Sequence, residues 1–80
     1  MNNDFILNKL LNIIAEVIDV DINILNLNTK REDFDTWDSL ATLIIFMRLE
    51  EEFNVKFKED DFKLLDSIDK IYKKITEGNK

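Results

Sequence analysis

The sequence predicts an all-α fold, a four-helix bundle with three longer helices, one short helix and a long loop between helices one and two. The 80 residues contain no Pro, and the single Gly is Gly78, so residues that interrupt helices are nearly absent. Apolar residues recur three and four positions apart in three separate stretches, as on the buried face of a helix. We expect one domain over residues 1–80, with about 4–76 ordered and a frayed tail.

The first helix is expected over about Asp4–Asp19. Its apolar stripe consists of Ile6, Leu7, Leu10, Leu11, Ile14, Val17 and Ile18. A connection of about Val20–Trp37 follows, in which Asn and Asp favour turns and a short helical turn is allowed. A loop this long must be pinned to the bundle. The apolar residues available for that are Ile22, Leu25, Leu27, Phe34 and Trp37.

The second helix is expected from Asp38 or Ser39 to about Phe53, with Asp38 as N-cap and Asn54 as the residue that ends it. Its inward stripe consists of Thr42, Ile45, Phe46, Leu49 and Phe53. The acidic run 50–52 opposes the helix dipole without an evident local structural reason, which favours a functional role for it.

Two further helices are expected after the second. A short one is predicted over Glu59–Leu64. Asp66 or Ser67 can then cap a last helix that ends at Gly78. The inward residues of that last helix are Ile68, Ile71, Tyr72 and Ile75.

Composition limits the chemistry that the chain can perform. It has no Cys and no His, which excludes disulfides and thiolate metal sites and removes the commonest general base. The acidic pairs, such as Asp60 and Asp61, lie in very polar segments, so no carboxylate is expected to have the raised pKa of a catalytic acid. We therefore expect no enzymatic activity.

The formal net charge of −6 is unevenly distributed. Residues 32–61 carry ten acids and three cations, whereas residues 62–80 carry three acids and five cations. A concentrated negative field repels nucleic acid and anionic membranes and attracts basic protein surfaces. The alternative is a solvated acidic surface that serves only solubility, and composition alone favours this alternative. The partly apolar segment 5–14 is interrupted by Asn8, Lys9 and Asn12, so neither a signal peptide nor a membrane span is expected, and we expect a cytoplasmic location.

A calcium site is the first alternative for an acidic helical chain. Asp19, Asp21 and Asn23 occupy positions one, three and five of an EF-hand loop. Position six is Ile24 where Gly is needed, and position twelve is Lys30 where a bidentate Glu is needed. A cation at position twelve repels the ion, so we expect a polar turn and no metal site.

The strongest signal is Asp38–Ser39–Leu40 at the start of the second helix. A Ser hydroxyl there faces the positive end of the helix dipole, which would stabilise an attached phosphodiester. For the tripeptide alone, ordinary helix capping is the favoured explanation. The run continues with an apolar helix that ends in Leu49–Phe53 (LEEEF), and with Val55 after one polar residue.

Over roughly residues 5–75 this pattern resembles acyl carrier proteins. The resemblance implies that a phosphopantetheinyl transferase attaches 4'-phosphopantetheine from coenzyme A to Ser39, and that the thiol of this arm carries acyl or related cargo as a thioester. It implies that Asp38 helps present Ser39 to that enzyme. It also implies a monomer whose partners are the transferase and acyl-transferring or synthase enzymes with basic docking surfaces.

The resemblance further implies a partner-binding surface on the second helix. Its apolar part would be Leu40, Leu43 and Met47, and its acidic part Glu50 and Glu51. The sequence departs from fatty-acid-synthesis carriers at four positions that usually hold Gly, a small residue and two acids. These positions hold Thr36, Trp37, Ala41 and Ile44.

Two of these departures leave alternatives open. Ile44 either widens the apolar docking surface or packs against the long loop. Trp37 either anchors that loop against the bundle, or shields the base of the arm or touches a partner. A Trp before Asp-Ser-Leu is more typical of carriers in specialised pathways, such as polyketide, nonribosomal peptide or saccharide modification, and the sequence leaves cargo and pathway open.

Two further hypotheses concern the cargo and the role of the chain. A short acyl chain could fold into a cleft lined by Leu43, Phe46, Met47 and Ile68, because each buried methylene contributes about 0.8 kcal/mol. The alternative function is an acidic helical adaptor that binds a basic protein without a covalent arm. Replacement of Ser39 would distinguish the two functions, since only the carrier needs its hydroxyl.

Overall fold

The computed structural model describes residues 4–78 and confirms the all-α bundle with its long loop. Three longer helices, α1 (Asp4–Ile18), α2 (Ser39–Phe53) and α4 (Ile68–Gly78), are joined by one short helix, α3 (Asp61–Leu64). The connection between α1 and α2 contains two 3-10 turns, Ile22–Ile24 and Arg31–Asp33. The frayed tail predicted after the last helix lies outside the described residues.

The core lies between α1, α2 and α4, where the predicted stripes meet. Among the residues that the structure describes, nine large side chains are fully buried: Leu10, Ile14, Ile18, Ile45, Phe46, Leu49, Ile68, Ile71 and Ile75. All nine occupy positions that the helical periodicity assigns to the inside. Phe53, also predicted to point inward, is only half-buried at the end of α2.

The helices α1 and α2 are each followed by a residue with left-handed backbone conformation, which is a common way for a helix to end. Asn54 follows α2 with φ 55° and ψ 44°, which confirms it as the residue that ends the helix. Asp19 follows α1 with φ 61°, and the Val20 N–H then donates to the Ala15 carbonyl at 3.1 Å. This bond satisfies one of the free carbonyls in the last turn of α1.

The short helix α3 begins two residues later than the sequence predicts, at Asp61. Its carboxylate is buried and accepts from the Lys58 N–H at 2.7 Å. The same oxygen lies 3.8 Å from Lys74 Nζ on α4. Asp61 therefore ties the start of α3 both to the segment before it and to the last helix.

Backbone hydrogen bonds pin the long loop to the N-terminus of α4. The Thr29 carbonyl accepts from the Ile68 N–H at 3.0 Å, and the Leu27 carbonyl accepts from the Asp69 N–H at 3.1 Å. These are amides of the first turn of α4, which have no partner within the helix. The predicted apolar anchors contribute as well, since Leu25 and Trp37 are buried in the core.

Two adjacent residues organise the start of α4. Ser67 Oγ accepts from the Lys70 N–H at 3.2 Å, so Ser67 is the residue that caps this helix. Asp66 instead pairs with Lys70 at 3.0 Å, and its carbonyl accepts from the Arg31 N–H at 2.9 Å. The hydrogen bond from Lys70, together with its positive charge, holds the pKa of the Asp66 carboxyl below its ordinary value.

Candidate functional site

Ser39 is the first residue of α2 and is exposed to solvent. Asp38 before it has extended backbone, and its Oδ1 accepts from the Ala41 N–H at 2.9 Å, which confirms Asp38 as the N-cap. The Asp38 carbonyl accepts from both the N–H and the hydroxyl of Thr42, each at 2.9 Å. The carboxylate and the backbone carbonyl of Asp38 thus fix the residue at which the loop ends and α2 begins. Ser39 is the next residue.

An open cleft of about 700 Å³ lies beside Ser39, and we call it the Ser39 cleft. Its lining comes from the end of the long loop, the first turns of α2 and the helix α3. The lining residues are Arg31, Glu32, Phe34, Asp35, Trp37, Asp38, Ser39, Thr42, Leu43, Phe62 and Lys63. Its volume falls within the roughly 300–1,000 Å³ of small-molecule and cofactor sites.

Arg31 holds the two sides of this cleft together. Its Nη1 donates to the Phe62 carbonyl at 2.8 Å, and its Nη2 donates to the Lys63 carbonyl at 3.4 Å. Both carbonyls belong to α3, so a loop side chain fastens the short helix in place. Sequence reasoning missed Arg31, Phe34, Phe62 and Lys63 as lining residues, because none of them follows a local motif.

Trp37 is both an anchor of the loop and part of the cleft wall. The side chain is only 3% exposed and belongs to the core cluster, which confirms the anchoring interpretation. It also lines the Ser39 cleft, two residues before Ser39. Its Nε1 is buried and has no hydrogen-bond acceptor within the part of the chain that the structure describes.

Four apolar side chains of α2 face solvent next to Ser39. They are Leu40 (65% exposed), Leu43 (44%), Ile44 (38%) and Met47 (57%), and we call this surface the apolar face of α2. Ile44 also lines a groove of about 430 Å³ together with α2 residues and the segment 54–56. That lining includes no residue of the long loop.

The acidic run at the end of α2 has local structural partners, contrary to the sequence-based interpretation. Glu50 is half-buried, and its Oε2 accepts from the Phe57 N–H at 2.9 Å. Glu52 forms an ion pair with Lys9 of α1 at 2.9 Å. Glu51 is exposed and has neither a hydrogen bond nor an ion pair with another side chain among residues 4–78. Of the predicted acidic docking residues Glu50 and Glu51, it is therefore the one whose carboxylate is free.

The residues suggested for a cargo cleft do not come together. Phe46 and Ile68 are fully buried in the packed core, whereas Met47 lines the groove with Ile44 and only Leu43 lines the Ser39 cleft. Phe46 stacks on the rings of Phe57 and Phe62, with centroids 4.5 and 5.1 Å apart. Phe46 is therefore part of an aromatic stack inside the bundle.

The residues at the EF-hand positions serve local turns. Asp21 Oδ1 accepts from the Asn23 N–H at 2.8 Å and so caps the first 3-10 turn. Residues 4–78 contain no cluster of three acidic side chains with the spacing of a metal site. Among the same residues, no helix is long and apolar enough to cross a membrane.

Comparison of the sequence with models of known families gives a match. The model of the phosphopantetheine attachment site matches residues 8–75, which is most of the chain. A comparison with curated proteins finds none that matches. The chain therefore belongs to the family of phosphopantetheine-binding carrier domains, to which 4'-phosphopantetheine is attached covalently.

Proposed function

We propose that Ser39 is the residue that receives 4'-phosphopantetheine and that the chain carries acyl or related cargo as a thioester. The observation that carries this proposal is a difference between the two serines of the chain. Both follow an Asp at the start of a helix. The Ser67 hydroxyl is engaged as the cap of α4, whereas the Ser39 hydroxyl is exposed and makes no hydrogen bond within residues 4–78.

The surroundings of Ser39 suit the group that would be attached there. A phosphodiester on its Oγ would lie at the positive end of the α2 dipole, near the amides of the first turn. Because Asp38 accepts from Ala41 and Thr42, it orders this turn without covering Ser39. The terminal thiol of the group supplies the reactive sulfur that a chain without Cys lacks.

The proposed partners are the phosphopantetheinyl transferase and the enzymes that load or use the cargo, and chemistry on the cargo takes place there. The apolar face of α2 lies beside Ser39, and Glu51 adds an exposed acid near its far end. An apolar surface bordered by negative charge fits a partner that has an apolar pocket and basic rim residues. Membership of this family does not favour the alternative of an adaptor without an arm.

Attachment can be tested on the wild-type chain. We expect apo protein incubated with coenzyme A, magnesium and a broad-specificity phosphopantetheinyl transferase to gain the mass of one phosphopantetheine group. Tandem mass spectrometry should place that group on Ser39. An unchanged mass would contradict the carrier function, and a group on Ser67 or on a Thr would contradict the assignment of the residue.

The proposed docking surface predicts an effect of charge reversal at Glu51. Because an acid at the rim of an interface steers encounter, Glu51→Lys should slow transfer by the same enzyme by roughly tenfold at low salt. The rate would be measured as kcat/KM over a series of ionic strengths, and the difference should shrink as salt rises.

Glu77→Lys is the matched control, because it makes the same change of net charge at an exposed position of α4. We expect its kcat/KM to stay close to that of the wild type. If both variants slowed transfer equally, net charge and not a surface on α2 would explain the effect, and the proposed role of Glu51 would be wrong.

A further inference from the structure

The groove that Ile44 lines is separate from the Ser39 cleft, since the two have no lining residue in common. It has a volume of about 430 Å³ and lies between α2 and the segment 54–56, and we call it the Ile44 groove. Its apolar lining consists of Ile44, Met47 and Val55. Ile44 and Met47 are exposed, whereas Val55 is buried without belonging to the core cluster. The apolar face of α2 therefore continues into a concave surface.

Contacts within the chain hold both sides of the Ile44 groove in place. Glu50 Oε2 accepts from the Phe57 N–H at 2.9 Å, which ties the chain just after the segment 54–56 back to α2. On α2 itself, Arg48 is paired with Glu16 of α1 at 2.8 Å. Because the groove is built before a partner arrives, binding there requires little further ordering of the chain.

The charges that line the Ile44 groove balance, unlike those of the stretch around it. Residues 32–61 carry ten acids and three cations, whereas the groove is lined by two of each. Glu50 and Arg48 already have partners within the chain. Glu51 and Lys56 are exposed, and neither forms an ion pair in the part of the chain that the structure describes. The groove thus offers one free acid and one free cation beside its apolar lining.

These opposite charges favour one kind of partner. A partner with basic residues alone would bring a like charge to Lys56, which is unfavourable in an interface. A partner with a base for Glu51 and an acid for Lys56 satisfies both charges, and the pair then fixes its orientation. An apolar side chain between that base and that acid would remove Ile44 and Met47 from water, and the flexible thioether of Met47 can adapt to its shape.

We propose that the Ile44 groove receives an apolar side chain of a partner enzyme, one that is flanked on the enzyme surface by an acid and a base. This inference rests on the proposed carrier function, which supplies the class of partner. Lys56 then determines specificity, because it selects an enzyme that presents an acid at this point among those attracted to acidic surfaces. The contact with the partner extends beyond α2 to residue 56.

The test uses two peptides with blocked ends, Glu-Phe-Lys and Lys-Phe-Lys, which carry the proposed chemistry without the rest of an enzyme. Each is titrated into ¹⁵N-labelled apo protein at about 0.15 M ionic strength, where charges farther apart than about 8 Å are largely screened. We expect Glu-Phe-Lys to bind about threefold more tightly and to shift the amide peaks of Ile44, Met47 and Lys56. Tighter binding of Lys-Phe-Lys, or unchanged groove peaks with both peptides, would overturn the proposal.

Reversal of the charge at Lys56 should reverse this preference. Lys56→Glu makes both free charges acidic, so Lys-Phe-Lys should become the tighter ligand by about threefold. Lys58→Glu is the matched control, because it makes the same change at an exposed position that does not line the groove. We expect it to keep the wild-type preference. If both variants reversed the preference, net charge and not the groove would be responsible, and the proposal would fail.

The apolar contact is tested separately with Ile44→Ser. This variant should bind both peptides at least about threefold more weakly, because part of the apolar area that they cover is lost. Leu64→Ser is its control, since Leu64 is also exposed but lies on α3 and outside the groove. It should bind as the wild type does. Wild-type binding by Ile44→Ser would contradict the insertion of an apolar side chain.

The outcomes separate this inference from the carrier function, because the peptide titrations use apo protein. No gain of mass with coenzyme A and the transferase contradicts the attachment, whatever the peptides do. A full gain of mass without peptide binding at the groove overturns the role of the Ile44 groove and leaves the carrier function intact.

Discussion

Ser39→Ala is expected to abolish attachment of phosphopantetheine completely while leaving the stability of the fold unchanged. The hydroxyl is exposed and bonds to nothing among the described residues, so its removal breaks no contact. Ala is also the best helix former, and Asp38 remains as the N-cap. Intact mass after incubation with coenzyme A and the transferase measures the first effect, and thermal unfolding followed by circular dichroism measures the second.

Ser67→Ala is the matched control, since it makes the same substitution after an Asp at another helix start. Here the hydroxyl accepts from the Lys70 N–H, so its removal should cost about 1 kcal/mol and lower Tm by about 4–8 °C. Loading should be complete, because the proposed attachment residue is untouched. A variant Ser39→Ala that still gains the group, or a Ser67→Ala that cannot, would contradict the assignment.

Features of the fold that depend on neighbouring residues were predictable from the sequence. Asp38 and Asn54 were identified as the ends of α2 because capping is a property of a few consecutive residues. The buried stripes were predictable for the same reason, since a helix repeats its face every three to four residues. Family resemblance through the run around Ser39 then indicated the type of protein, and the match over residues 8–75 confirmed it.

Features that join distant parts of the chain were not predictable. The bond from the Ile68 N–H to the Thr29 carbonyl uses backbone atoms, so no side chain marks it in the sequence. Arg31 reaches α3 across thirty-one positions, and nothing in its local context distinguishes it from a solvated cation. The walls of the Ser39 cleft depend on these bonds, and the cleft was missed with them.

The acidic run of α2 shows how the same residues serve different roles. A run of three Glu has the same appearance whether its carboxylates are solvated or paired. Glu50 binds the Phe57 N–H, which fixes the segment after α2, and Glu52 binds Lys9 of α1. Only the tertiary structure separates these two from Glu51, so a surface inferred from the sequence alone overestimates its free charge.

The second large effect concerns Phe46, the fully buried ring at the centre of the bundle. Phe46→Ala should lower the free energy of unfolding by about 3–5 kcal/mol, because it leaves a cavity and removes two stacked aromatic contacts. A domain of eighty residues is expected to have only about 4–12 kcal/mol in total. The variant should therefore melt at least about 12 °C lower, as measured by circular dichroism.

Phe5→Ala is the control, since it makes the same chemical change at a ring that is 69% exposed. Lys9 Nζ lies 5.5 Å from the ring centroid, which is a weak cation–π interaction at the surface. We expect a loss of about 0.5 kcal/mol or less.

The stack also joins the core to the proposed site, because Phe62 both packs on Phe46 and lines the Ser39 cleft. Loss of the Phe46 ring should thus loosen α3 before the whole bundle unfolds, and hydrogen exchange of the α3 amides should accelerate more than that of α1. Equal acceleration of exchange in α1 and α3 would mean that the bundle opens as one unit. Equal stability of Phe46→Ala and Phe5→Ala would mean that the aromatic stack does not support the fold.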